Sequence, residues 1–367
     1  MRKRIVMLGT AFDTMGGISS VVNVYRAKGL FDRWPITYIA THRDGSRLDK
    51  FIQACRSALF LSWFLVTCRV AMLHVHMSSG PSFWRKAGLI LMTRLFGVRY
   101  LCHLHGGFFP NFYKASGTMA RWSIRDVFQK AATVIVLSEE WKLWVQSIFS
   151  CQHVCVIPNP VLIPPLENRN EIGRLIFLGR LGKNKGIYDI LIAIAKLASE
   201  FPSIHLLAGG DGELDQVRDT AKSLGIADRV EILGWVKGAA KDALLARASI
   251  YVLPSYAENL PMSVLEAMAA GLPVISTPVG GIPSAIEDGV EGLLVPPGDT
   301  EALTEAIRRL LADSDLRHRM GEAARAKAIA KFSSEKVIAG LEDVYRELGL
   351  APISAGEESG IHRKSVP

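Results

Sequence analysis

Ile250-Tyr-Val-Leu-Pro-Ser-Tyr-Ala-Glu258-Asn-Leu-Pro-Met-Ser-Val-Leu-Glu266-Ala-Met-Ala269 is the stretch that decides the fold. Its first four residues are an apolar run closed by Pro254, the pattern of a strand buried on both faces. The run after Pro261 favours helix and is stopped at Gly271-Leu-Pro273. The segment therefore predicts strand, loop, helix, with Glu258 in the loop and Glu266 about two turns into the helix. The helix start at Pro261-Met-Ser263 offers unpaired backbone N–H groups and a positive dipole end. An anion fits there, and a carboxylate on either side can grip neutral hydroxyls. A phosphate with sugars on both sides satisfies all three.

The same alternation extends over the chain. Ile5–Gly9, Ile36–Ala40, Val70–His76, Tyr100–His105, Thr133–Ser138 and Val154–Pro158 read as strands. Ser19–Leu30, Phe83–Phe96 and Ala120–Ala131 read as helices between them. After the proline-dense connector Pro158–Pro165 a second series begins at Arg174–Gly179. It continues through His205–Ala208, Val230–Leu233, Ile250–Leu253, Val274–Ser276 and Leu293–Val295. Alternating strands and helices imply α/β units with mostly parallel sheets. The expected division is residues 1–165, residues 166–331, a helix over 332–350 that crosses back to the first domain, and a disordered tail over 351–367. Two doubly wound domains would face an interdomain cleft at the carboxyl ends of their strands.

Charge is uneven. Residues 1–170 carry 21 Lys and Arg against 8 Asp and Glu, and residues 171–367 carry 22 against 27. A first half at +13 beside a second half at −5 suggests that the first half meets a polyanionic surface. Ala58–Cys68, the longest apolar run, is too short to span a bilayer, and Gly9 breaks the N-terminal apolar run before it could serve as a signal peptide. The five cysteines have no metal spacing and read as reduced core residues of a cytoplasmic protein.

Three further motifs carry chemistry. Gly179-Arg180-Leu-Gly-Lys183-Asn-Lys185-Gly186 puts Arg180 and Lys185 on a tight turn after a strand, where Arg suits a bidentate phosphate contact and Lys adds a point charge. Gly16-Gly17-Ile18 opens a helix after the first strand, and its backbone could approach a phosphate. No Gly-x-Gly-x-x-Gly stands there, which counts against a dinucleotide enzyme. His103-Leu-His105-Gly-Gly107 ends a strand, and alternation puts both histidines on one face. His74 and His76 read as packing residues. Asp313-Ser-Asp315 reads as helix capping rather than a metal site, and no metal ligands are expected.

Together these residues resemble the retaining two-Rossmann (GT-B) glycosyltransferases of family 4, which include bacterial exopolysaccharide and lipopolysaccharide transferases. The resemblance spans nearly the whole chain. It is densest from Gly179 to Gly298, through the Gly-Arg turn, Leu233-Gly-Trp-Val236, Pro-Ser-x-x-Glu, Glu-x7-Glu, Val279-Gly-Gly-Ile-Pro and Gly292-Leu-Leu-Val-Pro-Pro-Gly-Asp299. It implies a nucleotide diphosphate sugar as donor, UDP- or GDP-linked, and no metal cofactor. Arg180 and Lys185 would hold the diphosphate, with Gly17 and the run Glu258, Asn259, Leu260, Pro261 and Met262 nearby. Glu266 would bind the ribose, Glu258 the transferring sugar, and the base would lie near Val236. His105 would face the donor sugar, so that His105, Glu258, Arg180 and Lys185 form the catalytic set. Two departures stand out: Asn159-Pro160 where Asn-Gly is common, and Asn259 where a small residue is common.

The basic first half, with Phe83-Trp-Arg-Lys86 and Phe108-Phe-Pro-Asn-Phe-Tyr-Lys114, suggests peripheral attachment to the inner membrane face and a lipid-linked saccharide acceptor. The expected function is hexosyl transfer in bacterial surface polysaccharide biosynthesis, with no nucleic-acid partner. The alternatives are a nucleotide-sugar epimerase of the same architecture and a non-catalytic basic membrane-binding protein. Retention of full function by a Glu258→Ala variant would favour the last.

Overall fold

The structure, a computed structural model, describes residues 3–165 and 171–354. Most of the expected tail, residues 355–367, lies outside them. The chain forms two units: the first runs to Pro160 and resumes at Ser334, and the second is Val161–Ser333.

In the first unit β1 (Arg4–Gly9), α1 (Gly17–Ala27), α2 (Leu30–Arg33), β2 (Ile36–Ala40), α3 (Arg47–Val66), β3 (Val70–Met77), α4 (Pro81–Leu95), β4 (Tyr100–Leu104), α5 (Phe109–Ala115), α6 (Thr118–Gln129), β5 (Thr133–Val136), α7 (Glu139–Ile148) and β6 (Val154–Val156) follow one another. All strand pairs are parallel, in the order β2-β1-β3-β4-β5-β6. The chain leaves β1 toward β2 and then crosses to the other side of β1, so the strand order reverses between β1 and β3. Right-handed crossovers place α1 and α2 on one face of the sheet and α3, α4, α6 and α7 on the other. Alternation on β3 shows the two faces. Leu73, Val75 and Met77 join the core under α3 and α4, built with Leu61, Phe64, Leu89 and Ile90. His74 and His76 point the opposite way.

The second unit runs β7 (Arg174–Leu178), α8 (Ile187–Leu197), β8 (His205–Gly209), α9 (Leu214–Ser223), β9 (Val230–Gly234), α10 (Ala239–Arg247), β10 (Ile250–Leu253), α11 (Met262–Ala269), β11 (Val274–Ser276), α12 (Ile282–Ala285), β12 (Gly292–Leu294), α13 (Thr300–Ala312) and α14 (Ser314–Lys327). Its sheet is also parallel throughout, in the order β12-β11-β10-β7-β8-β9. β7 and β10 are neighbours, yet the chain leaves them in opposite directions. Their carboxyl ends therefore flank a topological switch point, where loops diverge and leave room for a ligand. Both strands are apolar and buried on both faces, as a central parallel strand requires.

The last helix, α15 (Ser334–Glu347), belongs to the first unit. It packs on α1 and is fixed by buried Tyr345, whose hydroxyl lies 2.7 Å from His74 Nδ1. Lys28–Glu335 and Arg33–Glu342 close its edge at 2.6 and 2.8 Å.

All twelve expected strands are present, within two residues at each end. Three expectations need correction. Of the five cysteines read as core residues, Cys55 and Cys68 are exposed at α3 and only Cys102 is fully buried. Glu266 is the fifth residue of α11, one turn in rather than two. Of the aromatic and basic residues expected to meet a membrane, Phe83, Lys86, Phe109 and Tyr113 are buried in the first unit, because α4 and α5 turn them onto the sheet. Only Trp84 and Phe108 among the large aromatics there stay exposed.

Candidate active site

The loop after β7 turns back at once. Gly186 has φ +73°, and a Cβ there would stand 2.3 Å from the Pro254 carbonyl oxygen. Glycine thus lets the β7 loop lie directly on the β10 loop, and Tyr256 N donates to Asn184 O at 3.0 Å across the seam. This contact places Lys185 beside Glu258. Lys185 Nζ donates to Glu258 Oε1, which also accepts from Ser255 Oγ at 2.9 Å. Glu258 is 8% exposed, and Gly280 backs its main chain so closely that a Cβ would come within 1.9 Å of Glu258 O. Gly281 N donates to Asn259 O at 2.6 Å and closes the loop from behind.

Pro261 caps α11 in an extended conformation, so Met262, Ser263 and Val264 present the first-turn N–H groups that have no acceptor within the helix. Leu260 and Met262 are buried beneath this turn. One turn on, Glu266 accepts from Lys241 Nζ of α10 at 2.6 Å. Burial raises the Glu266 carboxyl above its ordinary range even though Lys241 pulls it down.

Arg180 follows β7, is exposed, and has no hydrogen-bond or ionic partner among the described residues. Its loop is zipped to the one after β8: Gly179 N donates to Gly209 O, Leu181 N to Asp211 O at 2.6 Å, and Glu213 N to Leu181 O. Val236, half-buried, lies over Gly209, where a Cβ would meet its Cγ2 at 2.9 Å. The structure thus brings Arg180, Lys185, Val236, Glu258, Asn259, Leu260, Pro261, Met262 and Glu266 to the carboxyl edge of the second sheet.

Gly17 and His105 belong to the first unit. Gly17 is the first residue of α1, exposed, behind Gly16 at φ +151°. His105 is half-buried, and its Nε2 lies 2.8 Å from His76 Nδ1. Asn159 also bonds the His105 ring. His74, His76 and His103 continue the row as stacked rings, with planes 22–27° apart. Their ring nitrogens fall within 4.8 Å of one another. A three-histidine metal centre needs in-plane lone pairs that converge, and near-parallel rings do not supply them. Burial and mutual repulsion hold His74, His76 and His105 well below the usual imidazole range, and burial takes His103 down to about 3. The row is neutral at physiological pH. Asp313 caps α14, accepting from Leu316 N at 2.8 Å.

Sequence reasoning missed two members of the site. Ser255 stands within the Pro-Ser-x-x-Glu pattern, three residues before the carboxylate it donates to, so a signal existed. Lys241 has none: its partner is 25 residues away and meets it only through the packing of α10 beside α11.

Two six-stranded parallel α/β units make up the fold called GT-B. Residues 164–327, within the second unit, match the family described as "Glycosyl transferases group 1". Among similar proteins, N-acetyl-alpha-D-glucosaminyl L-malate synthase of Bacillus anthracis is 37% identical over 174 residues, which are 47% of this chain and 45% of that protein. The match thus spans less than half of that relative. Among solved structures, sucrose-phosphate synthase from Thermosynechococcus elongatus aligns with TM-score 0.78 at 20% identity, over 95% of this chain and 99% of that one. Anabaena HepE in complex with UDP and glucose aligns with TM-score 0.74 at 18% identity, over 94% and 100%.

Proposed function

We propose that this protein is a retaining, metal-independent hexosyltransferase that uses a nucleotide diphosphate sugar and glycosylates a lipid-linked saccharide in bacterial surface polysaccharide biosynthesis, at the inner face of the membrane. The observation that carries the donor assignment is the arrangement at the β7/β10 switch point: Lys185 and the open first turn of α11 lie beside two carboxylates, with Arg180 on the adjoining loop. The diphosphate would take the first-turn amides, Arg180 and Lys185, which keeps two N–H groups after bonding Glu258. Glu266 has a second carboxylate oxygen for a ribose hydroxyl while Lys241 holds the first. Glu258, fixed by Lys185 and Ser255, would accept from a hydroxyl of the transferring sugar.

Breaking the sugar–phosphate bond leaves the shared electron pair on the diphosphate. Fixed cations and amide dipoles would stabilise that charge without reorganising. Neutral His105, held by His76, would bond the sugar without adding a charge near the oxocarbenium-like centre. That HepE was solved with UDP supports a nucleotide ligand for this fold. Calorimetric titration with a panel of nucleotide sugars, chelator present, tests the proposal. One donor should bind, and Arg180→Ala should weaken it about tenfold or more. Silence across the panel, with and without added membrane extract, would overturn it.

A further inference from the structure

The exposed apolar surface of the first unit is concentrated on one face. Leu48, Phe51, Ile52, Leu59, Trp63 and Val66 of α3 are 40–72% exposed. With Cys55, the series 48, 52, 55, 59, 63, 66 forms a single stripe along 20 residues, opposite the stripe of Ser57, Leu61, Phe64 and Leu65 that packs on the sheet. On neighbouring α4, the exposed residues are Pro81, Trp84, Gly88, Leu91 and Leu95, with no charge among them. Met119 and Trp122 of α6 are 86% and 69% exposed. Among the described residues, the helices of the other face (α1, α2 and α15) expose no large apolar side chain. One tryptophan stands on each of three helices that share a face.

The charge at this face selects the occupant. Arg56 on α3 and Arg121 and Arg125 on α6 are exposed beside the stripes. The two acids on these helices are engaged internally: Asp49 with Ser46, and Asp126 with Arg94 and Lys130. A second copy of so basic a face would be repelled, whereas an anionic surface is attracted. No helix among the described residues is long and apolar enough to cross a membrane.

We infer that the α3–α4–α6 face lies in the interface of an anionic lipid bilayer, with Trp63, Trp84 and Trp122 at headgroup depth and the arginines on lipid phosphates. This deepens the membrane part of the proposed function by naming its surface, and it does not depend on the donor assignment. The test is co-sedimentation of the full chain with phosphatidylglycerol vesicles and with phosphatidylcholine vesicles. The comparison is with a Leu59→Glu/Leu91→Glu variant, whose sites are exposed and outside the candidate site. Binding should favour phosphatidylglycerol, weaken in high salt, blue-shift tryptophan emission, and fall at least tenfold in the variant. Vesicle binding undiminished in the variant would overturn the inference. So would no vesicle binding, whether the protein sediments as a monomer or as a dimer that the variant dissolves, the latter assigning the face to a second copy. Donor titration on the same samples separates the two proposals: a variant that loses vesicles should keep its donor affinity.

Discussion

Lys241 Nζ sits 2.6 Å from Glu266 Oε1, and the carboxyl it holds is nonetheless shifted upward by burial. The charged form of Glu266 is thus disfavoured in the folded chain relative to the unfolded one. That penalty is fully present above the folded pKa and disappears as pH falls below the unfolded value. Glu266→Gln removes it, so the variant is expected to keep or raise its Tm at pH 7.5 while losing about tenfold or more in donor affinity, the worth of one charged hydrogen bond. Thermal unfolding and calorimetry on the same preparation check both. A Tm that falls by several degrees would mean that Glu266 serves the fold rather than a ligand.

Lys185 and Glu258 couple differently. Glu258 is 8% exposed, so removing Lys185 leaves a nearly buried carboxylate with only Ser255. Lys185→Met should destabilise by about 1–3 kcal/mol. The double variant Lys185→Met/Glu258→Gln should recover much of that loss, because no charge is then left without a partner, but it should not recover donor binding. Denaturant unfolding of the four members of the cycle measures the coupling. Strict additivity of the two single changes would show that the ion pair does not exist in solution.

Two glycines with nearly the same backbone separate conformational strain from steric collision. Gly186 (φ +73°) and Gly225 (φ +70°) are both left-handed, but an added Cβ meets Pro254 O at 2.3 Å in the first and nothing within 4 Å in the second. Gly225→Ala should cost about 1–2 kcal/mol, the strain alone. Gly186→Ala should cost more and should also displace Lys185 from Glu258, so that donor affinity falls only in this variant. Equal losses of stability, with donor binding intact in both, would contradict the seam between the β7 and β10 loops.

These glycines also show what was legible in the sequence. Buried parallel strands announce themselves as short apolar runs between turn residues, and all twelve could be read that way. Motif residues at strand ends, such as Arg180, Lys185 and Glu258, follow from the strands. Helix α3 was not legible as a helix: its buried side and its exposed stripe are both apolar, so the 3.6-residue alternation that marks a surface helix is erased. The same surface hid the exposed face, which sequence reading assigned instead to Phe83–Lys86 and Phe108–Lys114. Lys241 was invisible because its meaning lies in a contact between α10 and α11 that only the fold makes.

The histidine row predicts how stability depends on pH. A histidine whose folded pKa is depressed binds its proton only in the unfolded chain at mildly acid pH. Stability is therefore at its plateau above about pH 6.5 and is lost as pH falls below it, down to the folded values. His103 titrates at about 3 when folded, and His74, His76 and His105 are also held well below the ordinary value. Each can contribute a slope of about 1.4 kcal/mol per pH unit, so the acid limb should be steep. Lys86 works in a different window. It is buried against His76 O and Ser82 Oγ, and burial takes it from 10.5 down to about 7. Its unfolded form holds a proton between those values and its folded form does not, so it makes stability rise with pH from about 7 toward 10.5 and adds no slope below 7. His103→Phe should flatten the limb between pH 6 and 4 and leave the alkaline limb unchanged; Lys86→Met should do the reverse. Urea unfolding at half-unit pH steps from 4 to 9.5 distinguishes them. An acid limb unaltered by His103→Phe would show that this imidazole is protonated in the folded protein, and the neutral role given to the row, including His105, would fall with it.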